Sequence, residues 1–129
     1  NKVTKKVILV EIVKGNWMQI QYNNRTVEKQ CTNLRIAKKD FSDKVAKKLH
    51  KLVNFIESAD NLASVIAFPT YHFHDLKGDR EGEYALDIDG RRGSYRLIAC
   101  FDEEKETVFS NAQSIKIIHI VEVSNHYGS

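Results

Sequence analysis

Two histidines, a lysine and an arginine fall within one short run, His72-Phe73-His74-Asp75-Leu76-Lys77-Gly78-Asp79-Arg80. On an extended chain His72 and His74 point to the same face, and Lys77 and Arg80 follow in a turn. Same-face histidines can ligate a metal, but this spacing fixes no third ligand, and a strand histidine is as readily a polar surface residue. Arg96 is a second feature, the one charge inside the apolar run 95–101. An arginine in such a strand requires an anion. That anion can be Asp87 or Asp89 across a hairpin, or a bound phosphate. The third feature is the tail Asn125-His126-Tyr127, which follows an isoleucine-rich run. The end of a strand is a place where a sheet presents reactive side chains.

Brought together, these groups are the equipment of a metal-independent ribonuclease. Cleavage by the RNA 2′-hydroxyl needs a base for that hydroxyl, an acid for the leaving 5′-oxygen, and cations around the phosphate charge. Histidine, with an ordinary pKa of about 6.5, serves as acid or base near neutrality. Lys77, Arg80 and Arg96 can supply charge, and Tyr127 can stack on a base or orient the phosphate.

The elements that must position these residues are legible in the periodicity. Residues 3–13 and 17–22 alternate around Lys14-Gly15-Asn16 and read as a β-hairpin. Residues 25–32 are ambiguous. From 34 to 58 the period becomes 3.6: Ala37, Phe41, Val45, Leu49, Leu52 and Ile56 share about 120° of a helical wheel. Thr32 or Asn33 is the expected cap of this long helix, and Lys44, Lys47, Lys48 and Lys51 form an adjoining basic stripe. Asp60 is placed to cap a short helix over 61–66, ended by the lone Pro69. Beyond it, strands are expected over 71–76, 84–89, 95–101 and 114–123. The second of these alternates, which predicts one buried and one wet face. The turn at 89–94 carries Arg91 and Arg92, and 102–113 reads as a polar loop. The fold class is α+β, with one long and one short helix packed on a mostly antiparallel sheet.

The chain has 129 residues, 20 Lys+Arg against 17 Asp+Glu, and a net charge of +3. That length suits a single domain over 1–129, and its 42% apolar content excludes a disordered chain. No run approaches the roughly 18 apolar residues of a membrane span, and no charged-then-apolar signal segment opens the chain. The first residue is Asn1 and not Met, as expected if a few leading residues are missing. Cys31 and Cys100 stand apart without a CxxC companion, which fits neither a disulfide framework nor a zinc site and suits a cytoplasmic location. Charge is segregated. Residues 1–58 hold thirteen Lys+Arg and five Asp+Glu, whereas 59–129 hold seven and twelve. A basic half of this kind suits a polyanion partner or forms a solvated helix face.

The run from His74 to Tyr84, HDLKGDREGEY, with Tyr95-Arg96-Leu97 and Ile120-Val121-Glu122-Val123 after it, resembles the RelE/ParE toxin superfamily. The nearest branch is HigB-like, the plasmid maintenance system killer proteins, which carry H-x-L-K-G-D-R-x-G-x-[YF], a Y-R-L strand and a His- and Tyr-containing tail. Ile20-Gln21-Tyr22-Asn23-Asn24, Val27-Glu28-Lys29-Gln30-Cys31 and the lysine-bearing helix also resemble that branch, so the likeness covers about 17–127. The eleven-residue run is specific; the other pieces gain weight from their order. Residues 1–16 lie outside the family-like core as an added strand. The resemblance implies a RelE-like fold and a toxin of a type II toxin–antitoxin system, a ribosome-dependent mRNA endonuclease without cofactor or metal. Its catalytic residues would be His74, Lys77, Arg80, Arg96, His126 and Tyr127. Lys44, Lys47, Lys48, Lys51, Arg91 and Arg92 would meet RNA phosphates. Its partners would be the ribosome, message and a cognate HigA-like helix-turn-helix antitoxin, through which alone it would reach operator DNA. The alternatives are a ParE-like gyrase poison without RNA chemistry, or a degenerate member that binds RNA or its antitoxin.

Overall fold

The computed structural model describes residues 17–125. The tail residues His126 and Tyr127, and the strand expected over 3–13 with its hairpin, therefore lie outside the described residues. The order is β1 (Gln19–Tyr22), α1 (Arg25–Thr32), α2 (Leu34–Asp40), α3 (Asp43–Ser58), α4 (Leu62–Ile66), β2 (His74–Asp75), β3 (Tyr84–Asp87), β4 (Arg96–Cys100), α5 (Lys105–Ser110) and β5 (Ile117–Ser124). Three short 3-10 turns, Pro69–Tyr71, Gly78–Arg80 and Ala112–Ser114, lie between them. The fold is α+β. The sheet is mixed, ordered β1-β5-β4-β3-β2, with β1 parallel to β5 and the other pairings antiparallel.

The helical half is divided more finely than its periodicity predicts: among the described residues four α-helices, α1 to α4, stand where one long and one short were expected, and α5 lies beyond them. Residues 25–32 are helical because the Asn24 side chain accepts the Val27 N–H. The expected helix over 34–58 is broken at Phe41. Asn33 caps α2 and Ser42 caps α3, its hydroxyl accepting the Val45 N–H at 3.1 Å. Between them Phe41 leaves helical geometry and sets its ring edge-on to Tyr95, at 5.5 Å between centroids. The apolar stripe still faces one way, since Ala37, Val45, Leu49, Leu52 and Ile56 are all buried. At α4 the cap is Asn61, not Asp60, with its side chain accepting from Ala63. Pro69, lacking an N–H, opens a 3-10 turn three residues beyond α4 rather than ending it. Residues 102–113 are no plain loop either, because α5 buries Val108 there.

The sheet separates two environments. On one face Tyr84, Leu86, Leu97, Ala99, Ile118 and Ile120 join the helices in the main core. The opposite face carries no helix and holds a small apolar cluster of Leu76, Ala85 and Ile98. Residues 84–87 are buried on both faces, not alternately wet as their pattern predicts, because β3 is an interior strand. The strand expected over 71–76 shrinks to His74–Asp75. A 3-10 turn uses Tyr71, and His72 adopts a left-handed conformation with φ 45°.

Candidate active site on the helix-free face

The register collects the candidate residues by pleat. Asp87 is opposite Arg96, Ala85 is opposite His74, and Arg96 is opposite Ser124. Side chains two apart on a strand share a face, so His74, Asp87 and Arg96 lie on the helix-free side. Arg96 is buried. Its Nε lies 3.1 Å from Asp87 Oδ1, and its Nη atoms donate to the carbonyls of Gly93, Tyr95 and Arg91. The salt bridge to Asp87 is thus one of the pairings that the hairpin offered. The same hydrogen bonds fasten the loop carrying Arg91 and Arg92. That loop is tight: a Cβ on Gly93 would stand 2.5 Å from the Asp89 carbonyl oxygen, which explains a glycine there.

His72 and His74 stack, with ring centroids 4.4 Å apart and planes 26° from parallel. His74 Nδ1 lies 2.8 Å from the His72 carbonyl oxygen. Since a carbonyl only accepts, Nδ1 carries the hydrogen, and Nε2 is the nitrogen left for chemistry. His72 Nδ1 lies 3.7 Å from Asp87 Oδ2, and its side chain is 37% exposed. Partial burial, with His74 and Arg91 beside it, pulls the His72 pKa below the ordinary imidazole value, against the opposite pull of Asp87.

The remaining residues of the motif are placed less simply. Lys77 is largely exposed, and its ammonium lies 3.3 Å from Asp75. That carboxylate also meets Lys105 at 3.1 Å and is held below the usual carboxylate range chiefly by it. Arg80 is engaged by two carboxylates. It donates to Glu83 at 2.7 Å and to Glu122 at 2.6 Å, tying the turn after β2 to β5. His126 and Tyr127, outside the described residues, follow a strand whose last residue pairs with Arg96.

The basic stripe runs along exposed positions of α3. Lys44 and Lys48 lie 3.6 and 3.4 Å from Asp89, while Lys48 and Lys51 line a cavity of about 180 Å³ with Thr70, Tyr71, Asp87, Ile88 and Gly90. This cavity joins the lysines to the segment that carries His72. The arrangement therefore gathers two imidazoles, a buried Asp87–Arg96 pair and a rim of cations. Among the described residues no group of three or more His, Cys, Asp or Glu could hold a metal ion. The resemblance gives no role to His72 or Asp87, although both stand in runs that the sequence singles out. Their signals were the His-x-His spacing and an acidic residue in the strand before an apolar strand that holds one arginine. No family model matches the chain, and no curated protein matches it in sequence.

Proposed function

We propose that this chain is a toxin of the HigB-like branch of the RelE/ParE superfamily, with a RelE-like fold, that cleaves ribosome-bound message without a metal. One observation carries the reading: the HDLKGDR run sets His74 on the helix-free face, stacked on His72, whose neighbour Asp87 lines a cavity with Lys48 and Lys51. In this proposal the 2′-oxygen attacks phosphorus and the 5′-oxygen departs, leaving a 2′,3′-cyclic phosphate. His74 handles a proton. Lys77, whose exposed side chain can leave Asp75 for a phosphate, stabilises the added charge. His126 and Tyr127 belong to the same chemistry as tail groups. Lys47, Lys51, Arg91 and Arg92, all exposed, hold RNA phosphates, joined by Lys44 and Lys48 once they exchange Asp89 for RNA. Arg80 and Arg96, committed to carboxylates, act by keeping the turn and the hairpin loop in place. The silencing partner is a helix-turn-helix antitoxin, and the site of action is the cytoplasm. No helix among the described residues is long and apolar enough to cross a membrane.

The test is primer extension on a defined message in a purified translation system, with and without ribosomes. Cuts that require ribosomes and vanish in the His74→Ala/Lys77→Ala double variant, with its melting curve retained, support the reading. Inhibition of gyrase supercoiling without any cut would replace it with the ParE-like alternative, and RNA binding without either activity with the degenerate one.

A further inference from the structure

His72 is the residue of this face that the motif run does not explain. It is a side-chain-bearing residue with φ 45°, a conformation that is sterically disfavoured outside glycine and tends to persist where a site requires it. The kink brings its ring onto His74 and its Nδ1 toward Asp87. Both imidazoles thus have Nδ1 turned to a protein acceptor, a carbonyl for His74 and a carboxylate for His72, which leaves both Nε2 atoms for a substrate.

Resting on the ribonuclease reading above, we propose that the stacked pair is the acid–base couple of the reaction, His72 taking the proton of the 2′-hydroxyl and His74 giving one to the leaving 5′-oxygen, with Asp87 as the positioning residue of His72. The atoms balance. The 2′-O–P bond forms as His72 Nε2 accepts the hydroxyl proton, and the P–O5′ bond breaks as protonated His74 supplies the proton of the new 5′-hydroxyl. The entering and leaving oxygens of an in-line displacement are two P–O bonds apart. The stacked rings, with centroids 4.4 Å apart and planes 26° from parallel, are close enough for one phosphodiester to meet both.

The charges around the pair divide the roles. Facing His72 are Asp87 from β3, Arg96 from β4, Arg91 from the hairpin loop and His74 from β2. Asp87 and Arg96 together are neutral, so a proton on His72 would leave net positive charge beside Arg91 and His74. Burial and the neighbouring His74 and Arg91 all lower the His72 pKa, which biases His72 toward the neutral form that a base needs.

The experiment is single-turnover cleavage of ribosome-bound message across pH by the full chain, with the folding of each variant checked by thermal melting. The wild type should give a bell-shaped profile. His72→Ala should cut at least about 100-fold more slowly and lose the rising limb. His74→Ala should lose the falling limb. Asp87→Asn removes the pull that favours protonated His72, so the rising limb should move to lower pH, which a merely structural role would not do. A rising limb and rate that survive His72→Ala, or a rising limb lost in His126→Ala instead, would overturn the proposal. If the wild type cuts no message, the ribonuclease reading itself has failed. The pair is then judged by NMR titration of the histidine rings, where His74→Ala should raise the midpoint of His72. An unchanged midpoint would overturn the coupling of His72 to its neighbour. If Asp87→Asn fails to fold, the two histidine variants decide the matter alone.

Discussion

Asp87 on β3 and Arg96 on β4 face each other in register, and carboxylate and guanidinium meet 3.1 Å apart with both side chains buried. Among the described residues neither Asp87 oxygen accepts a well-aligned hydrogen bond, so Arg96 and His72 are the charges that answer it. Removing Arg96 would leave that buried carboxylate with only the partly exposed His72 beside it, and would take one donor from each of three carbonyls. Arg96→Ala should therefore cost about 3–5 kcal/mol and lower the melting temperature by on the order of 10 °C or more. Calorimetry checks this. An Arg96→Ala protein that melts like the wild type yet has lost cleavage would make the arginine a phosphate ligand instead.

Arg80 makes a different prediction because its ion pairs are partly exposed. Side chains of Arg80, Glu83 and Glu122 retain 32, 29 and 45% of their exposure, so solvent screens the pairs. Arg80→Ala should cost about 1 kcal/mol in urea denaturation and leave message cleavage within a few-fold of normal. Abolished cleavage at unchanged stability would return Arg80 to the chemistry.

Asp89 restrains two of the lysines assigned to RNA. Asp89→Asn should free both ammonium groups and tighten binding to a single-stranded RNA, with a steeper loss of affinity as salt is raised. The Lys47→Ala/Lys51→Ala variant should do the opposite and reduce the logarithmic salt slope by between about 1 and 2. Fluorescence anisotropy across a salt series reads both.

The Cys31 thiol lies in the main core, and burial pushes its pKa from 9.0 up to about 12. An unfolded chain gives up this proton near the ordinary value while the folded chain keeps it. Stability should therefore be unaffected by this group below pH 9 and fall as pH climbs from about 9 toward 12. Tyr22, raised first by burial and then by Cys31, acts in the same direction. Urea titrations at a series of alkaline pH values should show a shallower decline for Cys31→Ala than for the wild type. Iodoacetamide at pH 8 should label Cys31 only on unfolding.

What the sequence disclosed was periodicity and local chemistry. The stripe Ala37, Val45, Leu49, Leu52 and Ile56 announced its buried face, and the glycine-flanked turn before Tyr95 announced the β3–β4 hairpin. The break at Phe41 was hidden because helix continuation and a Ser42 cap fit the same spacing. Only the contact with Tyr95, more than fifty residues away, decides between them. Alternation misread residues 84–87 for a related reason: the polar character of Asp87 suggests water, whereas Arg96, opposite it across the hairpin, is paired with it inside the sheet. In the site, the sequence displayed His74 and Lys77 side by side. It could not foretell that Asp75 holds the lysine, or that a left-handed His72 turns a second imidazole onto the first.

The last strand among the described residues is not at the border of the sheet. β5 lies between β1 and β4, and Gln19 is in register with Ile117 across nearly the whole described chain. Neither neighbour can complete its ladder until β5 has been synthesised, and the parallel β1–β5 pairing closes the longest loop in the fold. During translation the unfinished chain thus carries two open strand margins and a core without Ile118 and Ile120. A nascent chain of this kind can close its sheet only once residues 117–124 have been made, so the strands and helices before them wait on that late segment for their final packing.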